Sequence, residues 1–379
     1  MESTDSKSQS IDVVEVPELP TFTTAPTRPP IEYTSVGAFF SSSVKRFRSL
    51  WTRRFTLSLL AGQLVSLCIT GTNVTTTELV DRNWSLPTTQ NVFLYFTLFV
   101  VYTPYTMYRY GLRGWANMVL RDGWKYIILA ASDVEGNFLA VKAYEYTDLL
   151  SCMLLDAWAI PVCMIFSYVY MRRGYHWTQI LGVLVCIAGL GLLVASDVHT
   201  GKNWTPASRG KGDAFMVAAA TLYGFTNATE EFFVRRRPLY EVVGQMGMWG
   251  FIICMSQAAG LESSQWKAAS WNGATAGMIV GYTGAMFILY TVAPLLYRMA
   301  SSAYYNLSLL SSDWYGLIFG LGLYHYAPYW LYFIAFALVL VGLVIYFWHA
   351  TPEEQGELNP QAPAYVKTRD AVVQEEGSV

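Results

Sequence analysis

The chain has 379 residues, of which 53% are hydrophobic and 14% charged, with a formal net charge of −2. Soluble proteins carry about 25% charged residues, so this chain has too little polar surface for an aqueous fold, and the absence of a net basic charge excludes nucleic acid as a partner. Its 13 Trp, 26 Tyr and 20 Phe suit a protein that lines two bilayer interfaces with aromatic rings.

The first 35 residues are rich in Ser, Thr and Pro (Pro17, Pro20, Pro26, Pro29, Pro30) and read as a disordered tail. A run then follows with Val36, Phe39, Phe40, Val44, Phe47, Leu50 and Trp51 at helical intervals, beside Lys45, Arg46, Arg48, Arg53 and Arg54. Two readings stay open: a helix lying on an anionic membrane face, or a basic flank that orients the first span. The first long apolar run begins near Phe55, so no cleavable signal peptide is expected.

A membrane span needs about 20 mostly apolar residues. The sequence predicts ten: 55–79, 91–110, 124–144, 148–171, 177–196, 213–234, 241–260, 274–297, 301–322 and 328–348. With the N-terminus in the cytosol, the cytosolic segments hold fifteen Lys and Arg against five opposite (Arg82, Lys202, Arg209, Lys211, Lys267). The excess places both termini in the cytosol; the plasma membrane and the secretory pathway are both open as locations. Two glycosylation triplets, Asn83-Trp84-Ser85 and Asn203-Trp204-Thr205, fall in non-cytosolic loops, and the residues after His349 form an acidic tail. The five cysteines (Cys68, Cys152, Cys163, Cys186, Cys254) fall inside apolar stretches without metal or redox spacing, and read as small packing residues. His176, His199, His325 and His349 show no metal-ligand pairing, so no metal, cofactor or hydrolytic centre is expected.

Three spaced matches point to a duplication. Thr72-Asn73-Val74-Thr75 in span one matches Thr226-Asn227-Ala228-Thr229 in span six at an offset of 154. Ser151 and Asp156 in span four match Ser308 and Asp313 in span nine at 157, and Gly189 matches Gly342 at 153. A duplicated five-helix unit must enter the membrane the second time inverted, as in secondary transporters, whose site lies between the halves near the midplane. The expected organisation is a tail over 1–54, a first repeat over 55–196, a non-cytosolic loop over 197–212, a second repeat over 213–348 and a tail over 349–379.

Ionisable groups inside spans cost roughly 2.5–3.5 kcal/mol each at a helix centre and mark pathways by default. They are Asp133, Glu135, Asp156, Glu230, Glu231 and Asp313, joined by the amides Asn73, Asn137, Asn227 and Asn306. Asp156 lies about 12 Å into its span. Pro161 removes a hydrogen bond to the Ala157 carbonyl, which leaves an extra ligand or a bend point. Asp156 and Asp313 serve either the solute or helix–helix ties. Asp133 and Asn137, four apart, share a face, and Glu135 is about 200° from Asp133 around the axis; Asp133 with Asn137 is the choice for a cavity. Glu230 and Glu231 stand near Arg235, Arg236 and Arg237, so a salt bridge and a solute contact are both open. Gly182, Gly189 and Gly191 allow close helix approach.

The stretch Asp133-Val134-Glu135-Gly136-Asn137-Phe138, continuing through Lys142-Ala143-Tyr144-Glu145-Tyr146-Thr147, resembles the third-span signature of solute carrier family 35, subfamily F. Leu154-Leu155-Asp156 and Asn306-Leu307-Ser308-Leu309-Leu310, with Asp313, are similar too, and the resemblance covers roughly residues 55–350. It implies the drug/metabolite transporter superfamily: an all-α integral membrane protein of ten transmembrane helices in two inverted five-helix repeats, with a central cavity lined mainly by helices other than five and ten. Members resembling this chain are linked to nucleobase-like cargo such as queuine. Gly136 stands where Ala is usual, which is expected to loosen packing.

The function expected is secondary transport of a small polar organic metabolite, with nucleobase-like cargo as one option, and with Asn73, Asp133, Asn137, Asp156, Asn227, Glu230, Asn306 and Asp313 along the pathway. A nucleotide-sugar antiporter and a non-transporting receptor or scaffold are the alternatives. Lys142 is the one base well inside a span, near its non-cytosolic end, so a phosphorylated cargo lacks the cation it demands. Asp133 or Asp156 could exchange a proton during the cycle. The expected partners are thus a small solute, the lipid bilayer and a coupling proton; nothing in the sequence sets an oligomeric state.

Overall fold

The computed structural model describes residues 32–48, 51, 53–147, 149–172, 175–200, 209–322 and 330–347. The second glycosylation triplet, His325 and His349 lie outside the described residues, as does the side chain of Asp313. Every regular element among the described residues is helical.

The first of two compact units is described over residues 32–48, where helix α1 (Val36–Arg48) follows from the apolar spacing noted above. Ser35 Oγ accepts from the Ala38 N–H at 3.1 Å in its first turn, and Val36, Phe40 and Val44 form an exposed stripe.

The second unit holds the remaining helices: α2 (Arg53–Asp81), α3 (Pro87–Ala143), α4 (Leu149–Asp156), α5 (Ala159–Met171), α6 (Trp177–Thr200), α7 (Arg209–Val234), α8 (Leu239–Gln257), α9 (Gly273–Met299), α10 (Ser302–Gly322) and α11 (Trp330–Phe347). A π-helical turn, Ala258–Glu262, extends α8. The described residues of the ten segments read as spans fall largely on these helices, with two differences in detail. Residues 109–125, expected to be a connection, are helical, and α3 runs through them with a single break at Gly111. There φ is 69° and ψ 160°, a backbone state that a Cβ disfavours. The charged residues Arg109, Arg113, Arg121 and Lys125 interrupt the apolar run without interrupting the helix. Span four divides into α4 and α5 just after Asp156. The Ala157 carbonyl is not freed by Pro161: the Ile160 N–H takes it at 3.0 Å, so Pro161 makes a bend and no spare ligand.

Three helices among the described residues are both long and apolar enough to cross a membrane: Phe55–Asp81, Leu239–Glu262 and Gly273–Met299. The second half of α3 and α7 are long but carry carboxylates, which lowers their hydropathy. Large apolar side chains stand exposed on several helices, among them Leu60 (62%), Ile165 (61%), Val280 (72%) and Val344 (61%), as suits helices that face lipid.

The main core lies between α2, α3, α8 and α9, with Leu94, Tyr95, Leu98, Leu129, Val242, Met246 and Leu296 at its centre. Close approach there depends on Gly244, Gly247 and Gly250, which stack α8 on the first half of α3; a methyl on Gly247 would meet the Phe99 nitrogen at 2.6 Å. A second core joins α5, α6, α10 and α11. Gly182 and Gly189 fit their expected role as approach points. Gly191 does not, since nothing lies within 4 Å of a methyl built on it. The five cysteines are buried and form no disulfide.

Candidate functional site

Helical periodicity collects the polar residues into stripes. Asp133 and Asn137 recur on one face of α3, with Tyr144 just past its end, Tyr223, Asn227 and Glu230 on one face of α7, and Tyr282, Met286, Tyr290, Ala293 and Tyr297 on one face of α9. With Ile69, Thr72, Asn73 and Thr76 from α2, Asp156 at the end of α4, and Tyr305, Asn306 and Leu309 from α10, these stripes enclose a cavity of about 760 Å³, its open mouth included. Seven of the eight residues expected along a pathway line it: Asn73, Asp133, Asn137, Asp156, Asn227, Glu230 and Asn306. The eighth, Asp313, lies on α10, its side chain outside the described residues. Among the described residues the lining includes neither Lys, Arg nor His, and neither α6 nor α11 contributes to it.

The three carboxylates differ in their partners. Asp133 Oδ2 accepts from the hydroxyls of Tyr95 at 2.7 Å and Tyr290 at 2.6 Å. Asn137 donates to those same two hydroxyl oxygens at 2.8 and 2.9 Å, and its carbonyl accepts from Tyr223 at 2.8 Å. One network thus ties both halves of α3 to α7 and α9. Glu230 is 4% exposed, and its Oε1 has no hydrogen-bond partner among the described residues. Asp156 is half-buried, with Oδ1 likewise unpartnered. The amides of Asn227 and Asn306 join at 3.0 Å, and Tyr297 donates to Asn227 at 3.1 Å.

The neighbouring acids turn elsewhere. Glu231 takes Arg235 at 2.8 Å and caps α10 through the Ser302 N–H at 2.9 Å and the Ser302 hydroxyl. Arg235 also donates to the Ala300 carbonyl at 2.9 Å. The ion pair is almost completely buried. Glu135 accepts from Gln257 and joins α3 to α8. Lys142 does not line the cavity and pairs with Glu145 at 2.6 Å. Gly136 tightens the packing it was expected to loosen: a methyl there would come 3.1 Å from the Tyr223 ring, so glycine admits the tyrosine that holds Asn137.

Between α3 and the α7–α8 turn, Asp122 binds Arg237 at 2.7 Å and Lys125 at 2.8 Å, while Arg237 also reaches Glu241 at 3.0 Å. Burial works against the Asp122 charge, but the hydrogen bonds and positive charge of Lys125 and Arg237 prevail and hold its carboxyl down at about 2.

Six cavity tyrosines (Tyr144, Tyr223, Tyr282, Tyr290, Tyr297 and Tyr305) were not singled out by sequence. The signal was present on α9, where Tyr282, Tyr290 and Tyr297 follow a helical stripe, but tyrosine equally serves bilayer interfaces.

Helices that turn apolar side chains outward and enclose an uncharged-to-acidic polar cavity define a carrier-like membrane protein. The chain belongs to solute carrier family 35, subfamily F: the model of that family matches residues 51–348. It is a multi-pass membrane transporter of that family. An uncharacterised solute carrier family 35 member of Schizosaccharomyces pombe is 43% identical over 297 residues, which cover 78% of this chain and 59% of that one. Solute carrier family 35 member F2 of Mus musculus is 34% identical over 79% of this chain and 80% of its own, and that of Xenopus tropicalis 32% over 80% and 79%. Among solved structures, the crystal structure of a protein 17% identical aligns with a TM-score of 0.56, covering 78% of this chain and 98% of that one. At that identity the likeness speaks for the fold alone.

Proposed function

We propose that this protein is a secondary carrier of a small, neutral or cationic polar metabolite of nucleobase-like character, bound in the cavity between two inverted repeats. The observation that carries the reading is the cavity lining: three carboxylates, four amides and six tyrosines, without a single Lys, Arg or His. Amides and hydroxyls match the alternating donors and acceptors of a heterocycle edge, and tyrosine rings offer stacking faces. A phosphorylated cargo would face carboxylates with no cation to pair with, which ranks nucleotide sugars second.

The repeat reading, residues 55–196 against 213–348, draws support from contacts that exchange under its offset. A methyl on Gly182 would lie 2.6 Å from the Gly342 carbonyl, and one on Gly189 would lie 2.9 Å from the Ala335 carbonyl. At an offset of 153, Gly182 corresponds to Ala335 and Gly189 to Gly342, so each contact is the image of the other. Cys186 donates to the carbonyl of Val339, its own counterpart 153 residues on, at 3.6 Å. Packing partners follow the same rule: α2 lies on α9 and α10, as α7 lies on α3 and α5. Ten spans with both termini cytosolic and an exchangeable proton on a cavity carboxylate complete the proposal. A thermal-shift screen of purified protein tests the cargo: nucleobases should stabilise it, and stabilisation by nucleotide sugars alone would reverse the ranking.

A further inference from the structure

Three carboxylates face one cavity, and their surroundings assign them different work. Asp133 is fixed: two tyrosine hydroxyls donate to one of its oxygens, and Asn137 holds those hydroxyls in turn. Such a closed network orients a carboxylate and leaves it little reason to change state. Glu230 is the opposite case. It is as buried as Asp133, both being 4% exposed, yet one of its oxygens has no donor among the described residues. A buried polar atom without a partner is costly and calls for an explanation. Asp156 shares the unpartnered oxygen but is more open to the cavity.

The groups around Glu230 make its need for a donor acute. Asp133 from α3, Tyr297 from α9 and Tyr305 from α10 interact with it electrostatically, and Asp156 from α4 and Tyr290 from α9 line the same cavity. The α2 residues lining the cavity (Ile69, Thr72, Asn73, Thr76) carry no titratable group. α5 brings Cys163, engaged with Ser302. On α7 itself, Arg235 is four residues from Glu231 and spent on it. No cation lining the cavity compensates Glu230.

We propose that Glu230 is the coupling residue, carrying a proton when the cavity is empty and giving it up when an N–H donor of the cargo takes its place. The proposal rests on the reading of this cavity as the cargo path. The balance is simple: as one cargo N–H hydrogen bond forms, one proton passes from Glu230 to water on the side from which the cargo enters, so cargo and proton move in opposite directions. Asp133 is then a positioning residue, and neither it nor Asp156 carries the coupling.

Two measurements on the full-length purified protein test this. In the infrared, the empty protein should show the carbonyl stretch of a protonated carboxylic acid; the band should vanish in Glu230→Gln and persist in Asp156→Asn. In proteoliposomes, uptake of tritiated adenine should accumulate by up to about tenfold per pH unit when the lumen is acid. The ratio of uptake with and without the gradient should fall to one in Glu230→Gln, whatever its absolute rate, and survive in Asp156→Asn. Glu230→Asp, which keeps an acid and the fold, should retain the gradient response with a displaced pH profile. A band or a gradient response that survives Glu230→Gln overturns the assignment. Wild-type exchange indifferent to pH overturns the coupling but leaves the carrier reading standing. Failure of wild type to exchange adenine or any competing base, with the infrared band still dependent on Glu230, removes the nucleobase reading instead.

Discussion

The Tyr290 hydroxyl donates to Asp133 at 2.6 Å and accepts from Asn137 at 2.9 Å, so α3 holds one tyrosine of α9 both as donor and as acceptor. The same hydroxyl lies on the cavity wall, so the tie between helices and the solute surface are one structure. Replacing Tyr290 with Phe removes both bonds without changing the ring. The expected result is a loss of about 1–2 kcal/mol in stability, the scale of interhelical hydrogen bonds in membranes, together with an at least tenfold fall in exchange. Thermal unfolding in detergent and proteoliposome exchange measure the two. A Tyr290→Phe protein that melts and transports like wild type would show that the network is incidental.

Helix packing gives a sharper contrast. A methyl on Gly182 meets the Gly342 carbonyl and the Tyr346 backbone at 2.6–3.0 Å, whereas one on Gly191, nine residues along the same helix, meets nothing within 4 Å. Gly182→Ala should cost about 1–3 kcal/mol through overpacking. Gly191→Ala should be neutral or stabilise by up to about 1 kcal/mol through helix propensity. Comparing the two melting temperatures tests whether the α6–α11 contact is as close as described.

The Asp122–Arg237 tie predicts a pH dependence. The Asp122 carboxyl sits at about 2 in the folded protein, below its ordinary value near 4. A depressed folded value means that the unfolded chain binds the proton first as pH falls. The stability it contributes is therefore complete above about pH 4 and disappears as pH drops through about 2. The melting-temperature gap between wild type and Asp122→Asn should be constant from pH 8 to 5 and close below 4. A gap that widens on acidification would contradict the ion pair.

Much of the site was legible because helix geometry turns spacing into position. Asp133 and Asn137, four apart, had to share a face, and Glu135 had to leave it; the structure sends Glu135 to Gln257. Glu230 and Glu231 were harder, since neighbours differ by only about 100° and either could meet the arginines. The separation lies in the i,i+4 rule: Arg235 reaches Glu231 and leaves Glu230 to the cavity. Helix continuity through 109–125 was hidden because charge there mimics a loop, and only Gly111 marks the break. The role of Gly136 was unreadable without its neighbour, because Tyr223 comes from another helix 86 positions beyond the Asn137 it binds.

The central claim is that the cavity carries a nucleobase-like solute, and proteoliposome counterflow tests it most directly. Vesicles preloaded with unlabelled adenine should take up tritiated adenine saturably and faster than empty vesicles. Free nucleobases should compete, nucleotide sugars should not, and Asn227→Ala, which removes an amide from the cavity wall, should cut the rate at least tenfold. Uptake without trans-stimulation, or competition by nucleotide sugars alone, would contradict the account.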